Sequence, residues 1–562
     1  MNDYFDLGAY KRQVSTSSKE AQIWFDRGLN WCYGFNHEEG VTCFKKAIEH
    51  DADFAMAHWG IAYGSGPFYN LPWRHFGKDE AAKYTALCNS HIKIAKSLIS
   101  NVSEVEADLI NALGARFQKN HSVPPEEFDK WDDDYADAMR EVYKKHSDDI
   151  DVMALCAEAL ITRTPWRLWN IKTGNPAEGS DVIEAIEIIE SAITLSEAKN
   201  IPSHPAILHL HIHATEMSNT PEDALISADI LGTLCPDAGH MNHMPGHTYV
   251  ICSLYEKAKI ASEKAIRADN MYVEYAGPFN FYTTSRCHDL HLMMYTCMFL
   301  GQFEPAMKAA NDMRDTLTQE VLGVKGRPQL AITMEGYYSM IVHVLVRFGK
   351  WQEIIDTPMP PCPELYCVST PMHHYAKGIA YATLGDFDEA EHERSEFRAS
   401  LLKVPKDRKF FNNWATDILG VAEKMLDGEV EYHKGNYDLA FGHLRESVNR
   451  DDNLAYTEPW AWMHPPRHAL GALLMEQGQY VEAEQVYRTD LGLDNALPRC
   501  LQHHDNVWSL HGLAECLKLH DRANEFDEIS KKLEIALSKT DLPITSSCCC
   551  RKHVVTSSCC DN

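Results

Sequence analysis

Residues 21–54 read AQIWFDRGLNWCYGFNHEEGVTCFKKAIEHDADF, and this stretch decides the fold. Trp24, Gly28 and Trp31 recur on one face of a first helix; Phe44 and Ala47 mark a second. The small residues let two helices approach closely, and the large ones fill the gap between hairpins. The same phase returns downstream. GHTYVICSLYEKAKIASEKAIRAD carries Gly246, Tyr249, Ala258 and Ala265, and MHHYAKGIAYATLGDFDEAE carries Gly378, Tyr381 and Ala390. Gly428 with Ala440, Gly471 with Ala483 and Tyr487, and Trp508 with Gly512 continue it. LGDFDEA, KGNYDLA and QGQYVEA read as turns followed by second helices. Weaker units begin near Ala55, Pro205, Cys287 and Glu335. The pattern predicts roughly nine or ten hairpins of about 34 residues. Strand-type alternation is scarce, so the expected class is all-α.

These motifs resemble the tetratricopeptide repeat family over most of residues 20–535. Gly40 stands at one of the family's Ala positions, and Ala52 at its Pro position. The resemblance implies a TPR-like α-solenoid, a right-handed superhelix with a concave groove. HLHIHATE, HMNHMPGHTYV, CHDLHLMMY and HHYAKGIAYATLGD are similar to a group of long bacterial and fungal repeat proteins. More distantly they resemble the animal tetratricopeptide repeat protein 38 group. That likeness implies a fold and little chemistry.

The chain has 562 residues and a formal net charge of −28. Such a balance repels phosphate backbones, which argues against nucleic acid as a partner. No targeting signal or membrane-length apolar run is read, so a cytoplasmic protein is expected. Most of the 17 cysteines are scattered singly, as reduced buried thiols would be. Cys548, Cys549, Cys550, Cys559 and Cys560 cluster at the end. The expected organisation is an N-terminal segment (1–20), N-terminal hairpins with an aromatic loop insertion (21–119), and an irregular helical section with a linker at 120–135 (120–204). A superhelix with a His-lined groove (205–535) and a disordered Cys-rich tail (536–562) complete it. The Trp/Pro-rich loops 64–77 and 164–176 could cover a mouth of the superhelix or pack an irregular section.

His209 and His213 precede His243 and His247 by one hairpin length. Counted from each first helical residue, His209, His243 and His291 fall at position five. His213, His247 and Tyr295 fall at nine, His240 and His288 at two, and Glu216 at twelve. The family resemblance implies that positions two, five, nine, twelve and thirteen face the groove. Helical spacing agrees: His209, His213 and Glu216 are at i, i+4 and i+7, one face. His211 lies roughly 200° from His209 and is expected to pack between helices. Pro245 interrupts the helix between His243 and His247, which should kink or begin late. His468 and His343 are expected to be exposed groove residues, and His373 and His374 to pack.

Neutral imidazoles with one carboxylate suit Zn, Fe or Cu. The candidate metal ligands are His209, His213, Glu216, His243, His247, His288 and His291; His240, Tyr295 and His343 are candidate ligand-binding groups. The expected function is binding of a small molecule, peptide or protein in the groove, through a histidine-held metal. The alternative is an interaction scaffold without metal or catalysis. No nucleophile elbow, phosphate loop or CxxC pair is present, so no enzyme class is assigned.

Overall fold

A computed structural model describes residues 4–324 and 328–551. Helices dominate, and the described strands form two short antiparallel pairs, Trp169–Asn170 with Asn175–Pro176 and Lys409–Phe410 with Asn413–Trp414. The chain divides into two compact units. The first comprises residues 1–249, 260–289 and 324–329; the second comprises 250–259, 290–323 and 330–562.

In the first unit the opening hairpin is Lys19–Tyr33 with His37–His50. Ser18 and Asn36 cap the two helices by accepting from the N–H groups of Ala21 and Glu39. The packing rule is legible at Phe44. A Cβ at Gly28 would lie 2.6 Å from its ring, and one at Gly60, in the next hairpin, 2.7 Å. The ring is clamped between two helices that only glycine lets so near. The second unit repeats the device: Tyr487 sits against Gly471 and Gly512, where Cβ atoms would approach to 2.5 and 2.2 Å. The LGDF, KGNY and QGQY turns place Gly385, Gly435 and Gly478 at φ of 90°, 86° and 72°, the left-handed region that ends a helix. The fold is all-α, built of helical hairpins.

Two regional expectations need correction. Much of the expected 120–135 linker is the start of a helix, Pro125–Lys145. Phe128, Trp131, Tyr135 and Met139 recur at helical spacing and are buried, which outweighs the acidic run between them. The tail is ordered further than expected. A helix runs from Ala523 to Leu537, and Cys548 and Cys550 are buried within the second unit. Arg551 makes a two-pronged ion pair with Glu515, at 2.7 and 2.8 Å. Cys559 and Cys560 lie outside the described residues. Among the described residues no helix is long and apolar enough to cross a membrane.

Candidate metal centre

Three helices carry the histidines of the first unit. The Pro205–Thr215 helix begins with proline at its first turn, and His204 caps it by accepting from the N–H of Ile207. Ala206, Ile207, Leu208, Leu210 and Ile212 are buried around its whole circumference. A helix apolar on every side is a central helix, not a groove wall. His209, His213 and Glu216 are therefore fully buried, not lining an open groove. The Gly239–Ile251 helix brings His240, His243 and His247, also buried. It runs through Pro245 and starts six residues before it, so it does not begin late. The Tyr282–Leu300 helix brings Asp289, buried, and His288, half-buried and the ring nearest solvent.

Three ring nitrogens converge. His243 Nε2 lies 2.6 Å from His247 Nε2, which lies 3.2 Å from His288 Nε2. Carboxylates stand behind two of these rings. Glu216 Oε2 is 2.7 Å from His247 Nδ1, and its other oxygen is 2.9 Å from His213 Nδ1. An acceptor at Nδ1 puts the proton there and leaves Nε2 as a lone pair. Asp289 Oδ1 is 3.1 Å from His243 Nδ1, but the orientation is too oblique for a well-formed hydrogen bond. Asp289 is itself coupled to buried Asp269. Desolvation pushes Asp269 up to about 6; desolvation, then the charge of Asp269, pushes Asp289 well above the carboxylate range.

A second group of rings lies beside the first. His209, His213 and His240 bring donor atoms within 4.8 Å of one another. His209 Nδ1 donates to the Tyr33 carbonyl at 2.8 Å. Phe35 covers this group, 4.3 Å from His209 and stacked on His213 and His240 at 5.7 and 5.3 Å. Its φ of 58° is a left-handed conformation that costs a non-glycine residue on the order of 1–3 kcal/mol. Tyr69, from the 64–77 loop, lies 4.6 Å from the His213 ring. Burial holds His209 and His247 down to about 3 and pushes His213, His240 and His243 well below their ordinary value. All are neutral at pH 7, the form that binds metal.

Other predicted residues fall elsewhere. His291 belongs to the second unit, stacked 5.4 Å from Phe411. It joins none of the groups whose donor atoms converge. The reason is register: 48 residues separate His243 from His291, because the intervening helix, Tyr255–Ala276, is 22 residues long. His288, also a candidate ligand, does join the cluster. Tyr295, also in the second unit, bonds His503 Nε2 at 3.0 Å. His343 pairs with His464 Nδ1 at 3.1 Å and is buried, not exposed. His468 is likewise buried, 2.9 Å from Asp490. His211 bonds Ser227 Oγ at 2.8 Å and His373 the Ser369 carbonyl at 2.8 Å, so both pack as expected. Sequence reasoning missed Phe35, Tyr69, Asp269 and Asp289. The first two come from turns with no helical phase, and the aspartates occupy positions the groove scheme assigns to packing.

No protein-family model matches the chain, and no curated protein does. Among solved structures it is similar to Ypp1, at 9% identity over 92% of this chain and 81% of that one, with a TM-score of 0.45. Human IFIT1, solved as a dimer with m7Gppp-AAAA, matches at 11% identity over 93% and 91%, TM-score 0.32. Yeast Tom70 matches at 12% identity over 92% and 99%, TM-score 0.29. None of the three is near enough to lend this chain a partner or a chemistry.

Proposed function

We propose that the first unit is a metal-binding module in which His243, His247 and His288 hold one transition-metal ion. The convergence of their three Nε2 atoms carries the proposal. Imidazole nitrogens bound to one ion at about 2.05 Å sit about 3.4 Å apart at tetrahedral angles. The 3.2 Å between His247 and His288 is close to that spacing, and the 2.6 Å between His243 and His247 opens to it by modest ring rotation. Three neutral nitrogens leave a fourth position open, the arrangement of a site that polarises water or a small ligand. Glu216 would orient His247 by accepting from its Nδ1. His288, the least buried of the three, is the side from which a small molecule would approach.

Metal per chain, measured by mass spectrometry on untagged protein after reconstitution, tests this. At least one equivalent of Zn, Fe or Cu is expected; the His243→Ala, His247→Ala double variant loses one equivalent relative to the wild type and His211→Ala loses none. The competing scaffold reading expects no stoichiometric metal in any of them, and that result would remove the proposal. Equal loss in both variants would also count against it.

A further inference from the structure

The group beside the proposed site has the same construction. His209 Nε2 and His213 Nε2 are buried without a hydrogen-bond partner, although each ring's Nδ1 is engaged, at the Tyr33 carbonyl and at Glu216. His240 is buried with neither ring nitrogen engaged. Each buried polar atom left unpaired destabilises the fold, and four of them on three neighbouring rings is a large standing cost for a packed interior. The Phe35 backbone adds its own strain to place a ring over these three imidazoles. Strain and unpaired groups together mark a place where something binds.

We infer that His209, His213 and His240 form a second metal site, so that the first unit holds a pair of late transition ions, copper or zinc, in two adjoining three-histidine sites. The inference rests on the reading of His243, His247 and His288 as the first site. The donor set selects the ion class: the two three-histidine groups offer six imidazoles, which suit copper and zinc and serve hard ions such as Mg, Ca or Mn poorly. Glu216 links the two sites, one oxygen to His213 and the other to His247, so both rings present Nε2 inward. His240 stands between them. Its ring centroid is 5.0 Å from His209 and 5.7 Å from His243, and its donor atom also groups with those of His243 and Asp289.

Two substitutions remove the second site with little else. His240→Phe keeps the stacking on Phe35 and His243 and deletes only ring nitrogens that bond nothing. His209→Asn keeps an N–H for the Tyr33 carbonyl and deletes Nε2. Metal-free full-length protein is titrated with Zn(II), and separately with Cu(I) under anaerobic conditions, each against a competing chelator. Two equivalents per chain are expected for the wild type, one for His240→Phe and for His209→Asn, and one for His288→Phe. Circular dichroism and melting of the metal-free proteins check that each variant folds. One equivalent in the wild type, lost in His288→Phe and kept in His240→Phe, overturns the second site and leaves the first standing. Two equivalents surviving in both His240→Phe and His209→Asn also overturns it. No metal in the wild type overturns both readings.

Discussion

Replacing Glu216 with glutamine keeps the side chain's shape and removes its ability to accept twice. In the wild type the two oxygens accept from His213 Nδ1 at 2.9 Å and His247 Nδ1 at 2.7 Å, with the carboxylate fully buried. A glutamine has one acceptor and one N–H donor end, so one of the two rings meets a donor facing its own N–H. That ring relieves the clash by moving its proton to Nε2, which removes the lone pair it would offer a metal. Loss of such an outer partner typically costs 10–100-fold in metal affinity, about 1.4–2.7 kcal/mol. Zn(II) affinity measured by chelator competition should fall by that factor in Glu216→Gln, with the melting of the metal-free protein recorded beside it. An affinity within about twofold of wild type would refute the reasoning, because Glu216 would then be a packing residue whose charge does not govern the rings.

Other outcomes follow from the same contacts. Gly60→Ala puts a Cβ 2.7 Å from the clamped Phe44 ring and should destabilise by about 1–3 kcal/mol, whereas Gly442→Ala, with nothing within 4 Å in its helix, should stabilise by about 0.5–1 kcal/mol; paired denaturation curves check both. Pro245→Ala restores a backbone N–H inside the Gly239–Ile251 helix and should raise stability by about 1–3 kcal/mol, and an unchanged or lower melting temperature would contradict that. Burial lowers His343 to about 3 and His373 to about 4 from an ordinary 6.5. Their unfolded forms bind protons first, so the stability they contribute is present above pH 6.5 and is lost as pH falls toward 4 and 3, on the order of 2 kcal/mol each by about pH 5. Glu335, pushed up to about 7 by burial, has the opposite sign and offsets about one histidine. Denaturant midpoints of the metal-free protein should therefore drop between about pH 7.5 and 5.

The helical hairpins were legible because their cause is local. A glycine at position eight and an aromatic in the partner helix must sit at fixed spacing for a ring to fit between two backbones, as Phe44 does between Gly28 and Gly60. The histidine cluster was legible in part for the same reason. His209, His213, His243 and His247 share phase because their helices are neighbouring first helices, and His211 falls out because it points the other way. The scheme failed where it assumed equal hairpins. The 22-residue Tyr255–Ala276 helix shifts the register, so His288 and Asp289 reach the cluster and His291 does not. Burial was misjudged too, because groove exposure was carried over from the repeat family. The apolar ring of Ile207, Leu208, Leu210 and Ile212 around the histidines already signals an interior helix. Phe35 and Tyr69 approach from turns, where position follows from tertiary packing and no periodicity announces it.

The central claim is that imidazole nitrogens of the first unit, and no sulfur donors, hold metal. The chain offers a rival in the second unit, where Cys548 and Cys550 bring their sulfurs 2.7 Å apart. X-ray absorption of the Zn-loaded full-length protein separates the two directly. The account predicts a first shell of nitrogen and oxygen near 2.0–2.1 Å with imidazole multiple scattering, and no sulfur shell. A sulfur shell near 2.3 Å, or a first shell without imidazole scattering, would contradict it.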